Sequence, residues 1–239
     1  MPEVGDVIKA ENARWRFSGN QTTELAEHIE KSIPGYTEGH KLTLQLSDFF
    51  IRQNSRVYDL GCTTGVLTQS IATRHADANI EVIGVDRELS LIAAAREKVP
   101  DPLKGNLKYE TKDIINLNLA SSDFIISYYT LQFVTLAERR NVLDKIWKSL
   151  NPGGAFLLFE KTRETSSRFQ DIMTLLYNDF KLGNGYSGNE IIAKARSLKG
   201  VLEPLSSIEN IQALKKVGFK EICPVCKNLC FEGYLAIKN

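Results

Sequence analysis

Long apolar runs are missing from this sequence. No stretch approaches the roughly 20 consecutive apolar residues that cross a bilayer, and Met1 to Trp15 is too polar for a signal-peptide core. No membrane partner is therefore expected, and the cytoplasm is the expected compartment. Cysteine is scarce, 4 in 239 residues, and Cys223, Cys226 and Cys230 crowd together near the end. That spacing excludes the spread framework of a disulfide-stapled secreted domain. Histidine is scarcer still: His28, His40 and His75 show no spacing for a ligand pair and read as surface or capping residues, with His40 near enough to Tyr36 to approach a ligand held there. Charge of one sign is not in excess either, since 30 Lys and Arg face 29 Asp and Glu for a formal charge of +1. Polynucleotide-binding proteins usually present a basic surface, so nucleic acid is not expected as a direct partner. Repeats, low-complexity tracts and linkers are absent as well.

What is present is an ordinary globular composition, 43% hydrophobic and 25% charged, at a length suited to a single α/β domain with attached helices. Trp15 and Phe17 lie in a polar arm expected to pack onto the domain. Gln21 to Ser32 has helical spacing, broken by Ile33-Pro34-Gly35-Tyr36, and a second helix is expected from about 38 to 51 with Leu42, Leu46 and Phe49 on its buried face. From Arg56 the pattern alternates. Strands are expected at 56–60, 80–86, 107–112, 123–128 and 155–160, with helices at 65–74, 89–99 and 136–150, the last ended by Asn151-Pro152-Gly153-Gly154. Arg139, Arg140, Lys145 and Lys148 read as its solvated face. Helices over 166–181, to 199, and 208–217 then precede an antiparallel pair, 219–225 with 229–237. The divisions are an N-terminal cover (1–54), a core (55–161 and 206–239) and inserted cover helices (162–205). Alternation of this kind predicts a mostly parallel sheet with ligands at the carboxyl ends of its strands.

The chain is organised around Val57-Tyr58-Asp59-Leu60-Gly61-Cys62-Thr63-Thr64-Gly65, an apolar strand running through a glycine turn into a helix. Such a turn presents backbone N–H groups to a polar ligand. Asp86 closes the next strand, where a carboxylate can accept both hydroxyls of a ribose, and Asp113 follows the third, where it can accept an adenine amine. Thr63 stands where a dinucleotide site needs its middle glycine, which disfavours a pyrophosphate and leaves an NAD-dependent oxidoreductase as the weaker alternative. Cys223-x-x-Cys226-x-x-x-Cys230 is one ligand short of a closed zinc site, and the expected strand pair turns Cys223 and Cys226 to opposite faces. No metal is expected there.

Asp59-x-Gly61-x-x-x-Gly65 resembles motif I of class I S-adenosyl-L-methionine (SAM) dependent methyltransferases, and Asn151-Pro152-Gly153-Gly154 is similar to a turn of the same enzymes. Ser32-Ile33-Pro34-Gly35-Tyr36, Thr130-Leu131-Gln132-Phe133, Asn178-Asp179-Phe180-Lys181 and Asn184-Gly185-Tyr186-Ser187, with Trp15-x-Phe17, extend the likeness over nearly the whole chain: it resembles the carboxy-S-adenosyl-L-methionine synthases. The resemblance implies a Rossmann-like class I methyltransferase fold, with seven mostly parallel strands in the order 3-2-1-4-5-7-6 under helical cover. It implies conversion of SAM and prephenate into carboxy-SAM and phenylpyruvate, a homodimer, and a place in a tRNA modification pathway whose carboxymethyl transfer belongs to a separate enzyme. S-adenosyl-L-homocysteine would fit the same pocket. By the same resemblance Tyr36 closes over the cofactor, Asp59, Gly61, Cys62, Thr63 and Gly65 hold its methionyl part, Asp86 and Arg87 flank ribose and adenine, and Asp113 with Ile114 lines the adenine.

Two positions depart from that family. Tyr128 takes the place of an asparagine, and a phenol cannot reproduce an amide's paired donor and acceptor. Ala195 falls where the family grips the new carboxylate with an arginine, and Arg196 lies one residue, about 100° of helix, beyond it. The expectation is that a small helix irregularity returns Arg196 to the site, with Lys194 also in reach and Tyr177 and Tyr186 flanking it. Tyr128 and Arg196 are thus the candidate catalytic residues. SAM-dependent methyl transfer to a small acceptor (or tRNA) is the alternative enzyme, and a SAM-binding scaffold the non-catalytic one.

Overall fold

The computed structural model describes residues 3–4, 8–9, 28–103 and 105–239; the expectations for Trp15, Phe17 and the first turns of the helix from Gln21 lie outside them. Glu3–Val4 pairs with Ile8–Lys9 as a short antiparallel ladder, and 28–32 is helical. The main sheet contains β1 (Arg56–Leu60), β2 (Glu81–Asp86), β3 (Leu107–Thr111), β4 (Ser122–Tyr128), β5 (Leu150–Lys161), β6 (Glu221–Asn228) and β7 (Phe231–Ile237). Its spatial order is β3-β2-β1-β4-β5-β7-β6, the expected one. β1 to β5 pair in parallel, and β7 runs antiparallel between β5 and β6.

Alternation along each strand explains the two-sided core. In register, Val57, Val82 and Phe124 face one side while Tyr58, Ile83 and Ile125 face the other. Burying each large apolar side chain contributes roughly 1.5–3 kcal/mol, so the central strands β1, β2 and β4, apolar on both faces, anchor the fold. Helices α2 (Val66–Arg74), α3 (Leu89–Glu97), α4 (Leu136–Ser149) and α7 (Ser207–Val217) cover it. Helices α5 (Ser167–Gly183) and α6 (Gly188–Leu198) follow β5, and α1 (Tyr36–Ser47) precedes β1. No helix among the described residues is long and apolar enough to cross a membrane.

Three local expectations change. Helix α1 stops at Ser47 and buries Gly39, Thr43 and Ser47, while Phe49 is 71% exposed. Small residues win that face because the helix backbone approaches β4 closely: a Cβ on Gly39 would lie 2.2 Å from Tyr128 Oη. Asn151-Pro152-Gly153-Gly154 belongs to β5 rather than to a separate turn, since Gly153 N–H donates to Lys238 O at 2.6 Å. A bulge between Pro224 and Cys226 pairs Cys223 with Leu235 and Cys226 with Gly233. The extra residue returns both cysteines to one face, against simple alternation. Among the described residues no His, Cys, Asp and Glu group is arranged to hold a metal ion.

Gly39→Ala is expected to destabilise the fold by about 1–3 kcal/mol through overpacking, and to do so less in a Tyr128→Phe background. Denaturant midpoints of the single and double variants measure this; equal losses in both backgrounds would refute the contact as the cause.

Candidate functional site

The carboxyl ends of β1, β2 and β4, with the loop that follows β3, open into a cavity of about 410 Å³. The loop between β1 and α2 forms its floor and is tied to β2 throughout. Gly61 and Cys62 N–H groups both donate to Val85 O, at 2.7 and 3.0 Å. Thr63 N–H donates to Asp86 Oδ2 at 3.0 Å, and Glu88 N–H to Asp86 Oδ1 at 2.9 Å. Both glycines are obligatory: Gly61 (φ 80) has Thr130 Oγ1 where its Cβ would be, 2.1 Å away, and Gly65 (φ 76) has Tyr109 Oη at 2.2 Å. Asp59, 2% exposed, accepts from Thr68 Oγ1 at 2.6 Å. Burial pushes its carboxyl up to about 6, the Thr68 bond opposing and Asp86 reinforcing the shift. Burial raises Asp86 as well, against the two backbone bonds that favour its charged form.

At one end the cavity is lined by Asp86, Arg87, Asp113 and Ile114; Asp113 is held by Ile115 N–H at 2.9 Å. The middle is aromatic. Tyr36 packs with its ring centroid 4.6 Å from His40, 5.1 Å from Tyr128 and 6.4 Å from Tyr129, a wall of π faces suited to a cation. His40 Nε2 is buried there without a hydrogen-bond partner among the described residues, and burial lowers this imidazole to about 4 so that it is neutral at pH 7. The far end carries Lys161, Lys194, His28, Ser32 and Tyr177. An acidic end, a π-lined middle and a cationic end are therefore joined in one enclosure.

A methyltransferase domain model matches residues 57–154. Over 226 residues the sequence is 35% identical to the carboxy-S-adenosyl-L-methionine synthase of Staphylococcus epidermidis, spanning 94% of this chain and 97% of that one. The chain belongs to the carboxy-S-adenosyl-L-methionine synthase family. The synthase of Campylobacter lari is 30% identical over 225 residues, 94% of this chain and 95% of that one. Human N-acetylserotonin methyltransferase, solved in complex with SAM, superposes with a TM-score of 0.61 at 14% identity, over 90% of this chain and 55% of that one. That likeness establishes the class I methyltransferase fold.

Within this synthase-family chain the expected site residues separate into groups. Tyr36, Asp59, Gly61, Cys62, Thr63, Asp86, Arg87, Asp113, Ile114 and Tyr128 all line the cavity, while Gly65 shapes it as the left-handed N-cap of α2. Arg196 does not join them. Helix α6 starts with a regular Ser187–Glu190 capping box and shows no irregularity, so Arg196 stays exposed on its outer side. Lys194 enters the cavity instead, donating to Ser32 Oγ at 2.9 Å and meeting His28 Nε2. Burial pulls its ammonium down to about 7, helped by Lys181 and Lys161. Tyr128 directs its hydroxyl to Tyr36 O at 2.6 Å; its donor is engaged by backbone, and its ring is what faces the cavity.

His28 and Arg139 were misjudged from sequence spacing. His28 is 1% exposed and meets Tyr186 Oη at 2.8 Å; burial and then Lys194 hold it at about 3. Arg139, 4% exposed, donates to Val134 O at 3.0 Å and Glu203 O at 3.1 Å. Nearby, Gln132 N–H donates to Glu160 Oε1 at 3.1 Å, and Lys161 N–H to Gln132 Oε1 at 2.8 Å, which locks the Thr130–Phe133 block onto β5. The Ser-Ile-Pro-Gly-Tyr block was the available signal for His28, four residues before it.

Asp59 titrates near 6 in the folded chain against an ordinary 3.8. Its folded pKa being the higher, its contribution to stability is complete below the unfolded value and is lost as pH rises through about 6. The stability of wild type relative to Asp59→Asn should accordingly fall between pH 4 and pH 7 in paired denaturant titrations. A constant difference across that range would contradict the assignment.

Proposed function

We propose that this protein is a carboxy-S-adenosyl-L-methionine synthase that uses SAM and prephenate and releases carboxy-SAM and phenylpyruvate. The observation that carries the reading is the single cavity joining an acidic end to a buried cationic one. A SAM-dependent methyltransferase needs the first, and a reaction that builds a carboxylate onto the cofactor needs both.

The residues present fit SAM. Asp86, oriented by two backbone N–H groups, retains acceptor capacity for ribose hydroxyls, and Asp113 with Ile114 takes the adenine. Asp59 and the Gly61–Thr63 loop face the methionyl part. His40 Nε2, buried and without a partner among the described residues, is a polar atom that a bound ligand would satisfy. Bound SAM would supply a methyl group acidified by the adjoining sulfonium; prephenate would give up its ring carboxyl as carbon dioxide and its ring hydroxyl as hydroxide, which takes the methyl proton and leaves as water while the carbon dioxide bonds to the methyl carbon. Tyr36, Tyr128 and Tyr129 surround the cation with rings, and Tyr177 and Phe231 restrict water at the far end, where free carbon dioxide would otherwise escape. Lys194 holds the carboxylate as a point charge, in place of a guanidinium fork.

Methyl transfer is the second reading, favoured by Tyr128 where the resemblance places an asparagine and by the absence, among the described residues, of an arginine from the cationic end. A homodimer accords with the synthase reading: Phe169, Ile172, Leu175 and Leu176 of α5, with Ile192 of α6, are exposed apolar side chains on the cover helices. So do a cytoplasmic location and the division into an N-terminal cover (1–54), a core and inserted cover helices (162–205).

Purified protein incubated with SAM and prephenate should yield, by mass spectrometry, a sulfonium compound heavier than SAM by one carbon dioxide. SAM binding without that product would remove the synthase reading. Lys194→Met should lower the yield at least about tenfold, as expected for a lost charged hydrogen bond, and Arg196→Ala should leave it unchanged; the reverse pattern would restore Arg196 to the site. Asp86→Ala should weaken SAM binding about ten- to hundredfold in calorimetric titration, and an unaltered affinity would show that the ribose lies elsewhere.

A further inference from the structure

The cationic end holds more positive charge than one carboxylate needs. Lys161, the last residue of β5, places Nζ 4.4 Å from the centroid of the Tyr177 ring and 5.8 Å from that of Phe231. Lys181, on α5, places Nζ 4.2 Å from the same Tyr177 ring. Tyr177 Oη donates to Ser32 O at 2.9 Å, and Lys194 Nζ to Ser32 Oγ at 2.9 Å, so the three lysines surround one tyrosine and one serine. They come from three separate elements. Lys161 and Lys194 line the cavity, and Lys181 is 7% exposed behind them. Among the described residues no acidic side chain pairs with Lys161 or Lys181.

Collecting ammonium groups where water is sparse is unfavourable to folding. Burial, then Lys161, lowers Lys181 to about 8, and burial lowers Lys161. The contacts with Tyr177 and Ser32 offset part of that cost, and an incoming anion would relieve the remaining repulsion. On the synthase reading one lysine, Lys194, takes the carboxylate being transferred. A second cation at the cavity wall matches a second carboxylate.

We propose that Lys161, with the field of Lys181 behind it, anchors the carboxylate that the second substrate retains, while Lys194 takes the carboxylate that is transferred. This rests on the synthase reading for the identity of that substrate and for the division between a retained and a transferred carboxylate. The site selects dicarboxylates, with the ring of Tyr177 as a flat support beside the retained group. A monocarboxylate able to release carbon dioxide would meet Lys194 but leave Lys161 unpaired, and would bind more weakly for that reason.

The test separates binding from turnover. Prephenate is titrated calorimetrically into protein loaded with S-adenosyl-L-homocysteine, which cannot react. Wild type should bind it, Lys161→Met at least about tenfold more weakly, and Lys161→Arg within a few-fold of wild type, as a retained charge-assisted hydrogen bond requires. Affinities of Lys161→Met for SAM and for carboxy-SAM should match wild type, which also reports that the variant is folded. Equal prephenate affinity in wild type and Lys161→Met overturns the anchor, as does no prephenate binding to wild type. A loss confined to carboxy-SAM overturns it too, because Lys161 would then hold the transferred group. Should wild type bind prephenate through Lys161 and form no carboxy-SAM, a carboxylate-binding site at Lys161 stands and the synthase reading falls.

Discussion

The grip of β2 on the loop after β1 is the constraint on which the rest of the site depends. Val85 O accepts from Gly61 and Cys62, and Asp86 accepts from Thr63 and Glu88. These bonds are made between the protein's own groups, and they fix the floor of the cavity. The cost is visible in the backbone: Thr63 is held at φ 50, a region uncommon for a residue with a Cβ. In return Asp86 is aimed by two donors, and Asp59 is held beside it under Thr68. Preorganisation of this kind shortens the list of groups that binding must still order.

The cover is assembled on a different principle. Helix α1 can lie over β4 because Gly39 has no side chain, and Tyr128 fills the space and hydrogen-bonds to Tyr36 O. Tyr128 is thereby accommodated by a helix that approaches it closely. Tyr36, His40, Tyr128 and Tyr129 then act as one aromatic unit, and a substitution at any of them is felt by the others. At the opposite end, buried lysines work against stability and towards anion binding, a local conflict of the kind that functional sites carry.

The core of the fold was legible because its cause is local. Strand-length apolar runs, glycine turns and helical spacing occur at the right intervals, and they name β1 to β5 and the helices between them to within two residues, save the start of β5. Close packing was not legible in the same way. Leu42 and Leu46 pack against the core as their spacing suggests, but Phe49 does not, and Gly39, Thr43 and Ser47 are buried more fully, Gly39 because Tyr128 needs the room. A bulge at residues 224–226 likewise reversed a face that period-two alternation assigns with no ambiguity.

For the candidate site the division falls between short and long range. The sequence by itself determined the nucleoside-like end of the cavity, since Asp59, the glycines, Asp86 and Asp113 each sit at a strand end whose position follows from the alternation. Tertiary structure alone decided the cationic end. His28 and Tyr186 are 158 residues apart and Lys194 and Ser32 are 162 apart, so nothing in their spacing signals the contact. Which side of α6 faces inward is a matter of a single residue, about 100° of rotation, and it is the packing of that helix against the segment around Ser32 that turns Lys194 in and leaves Arg196 in water.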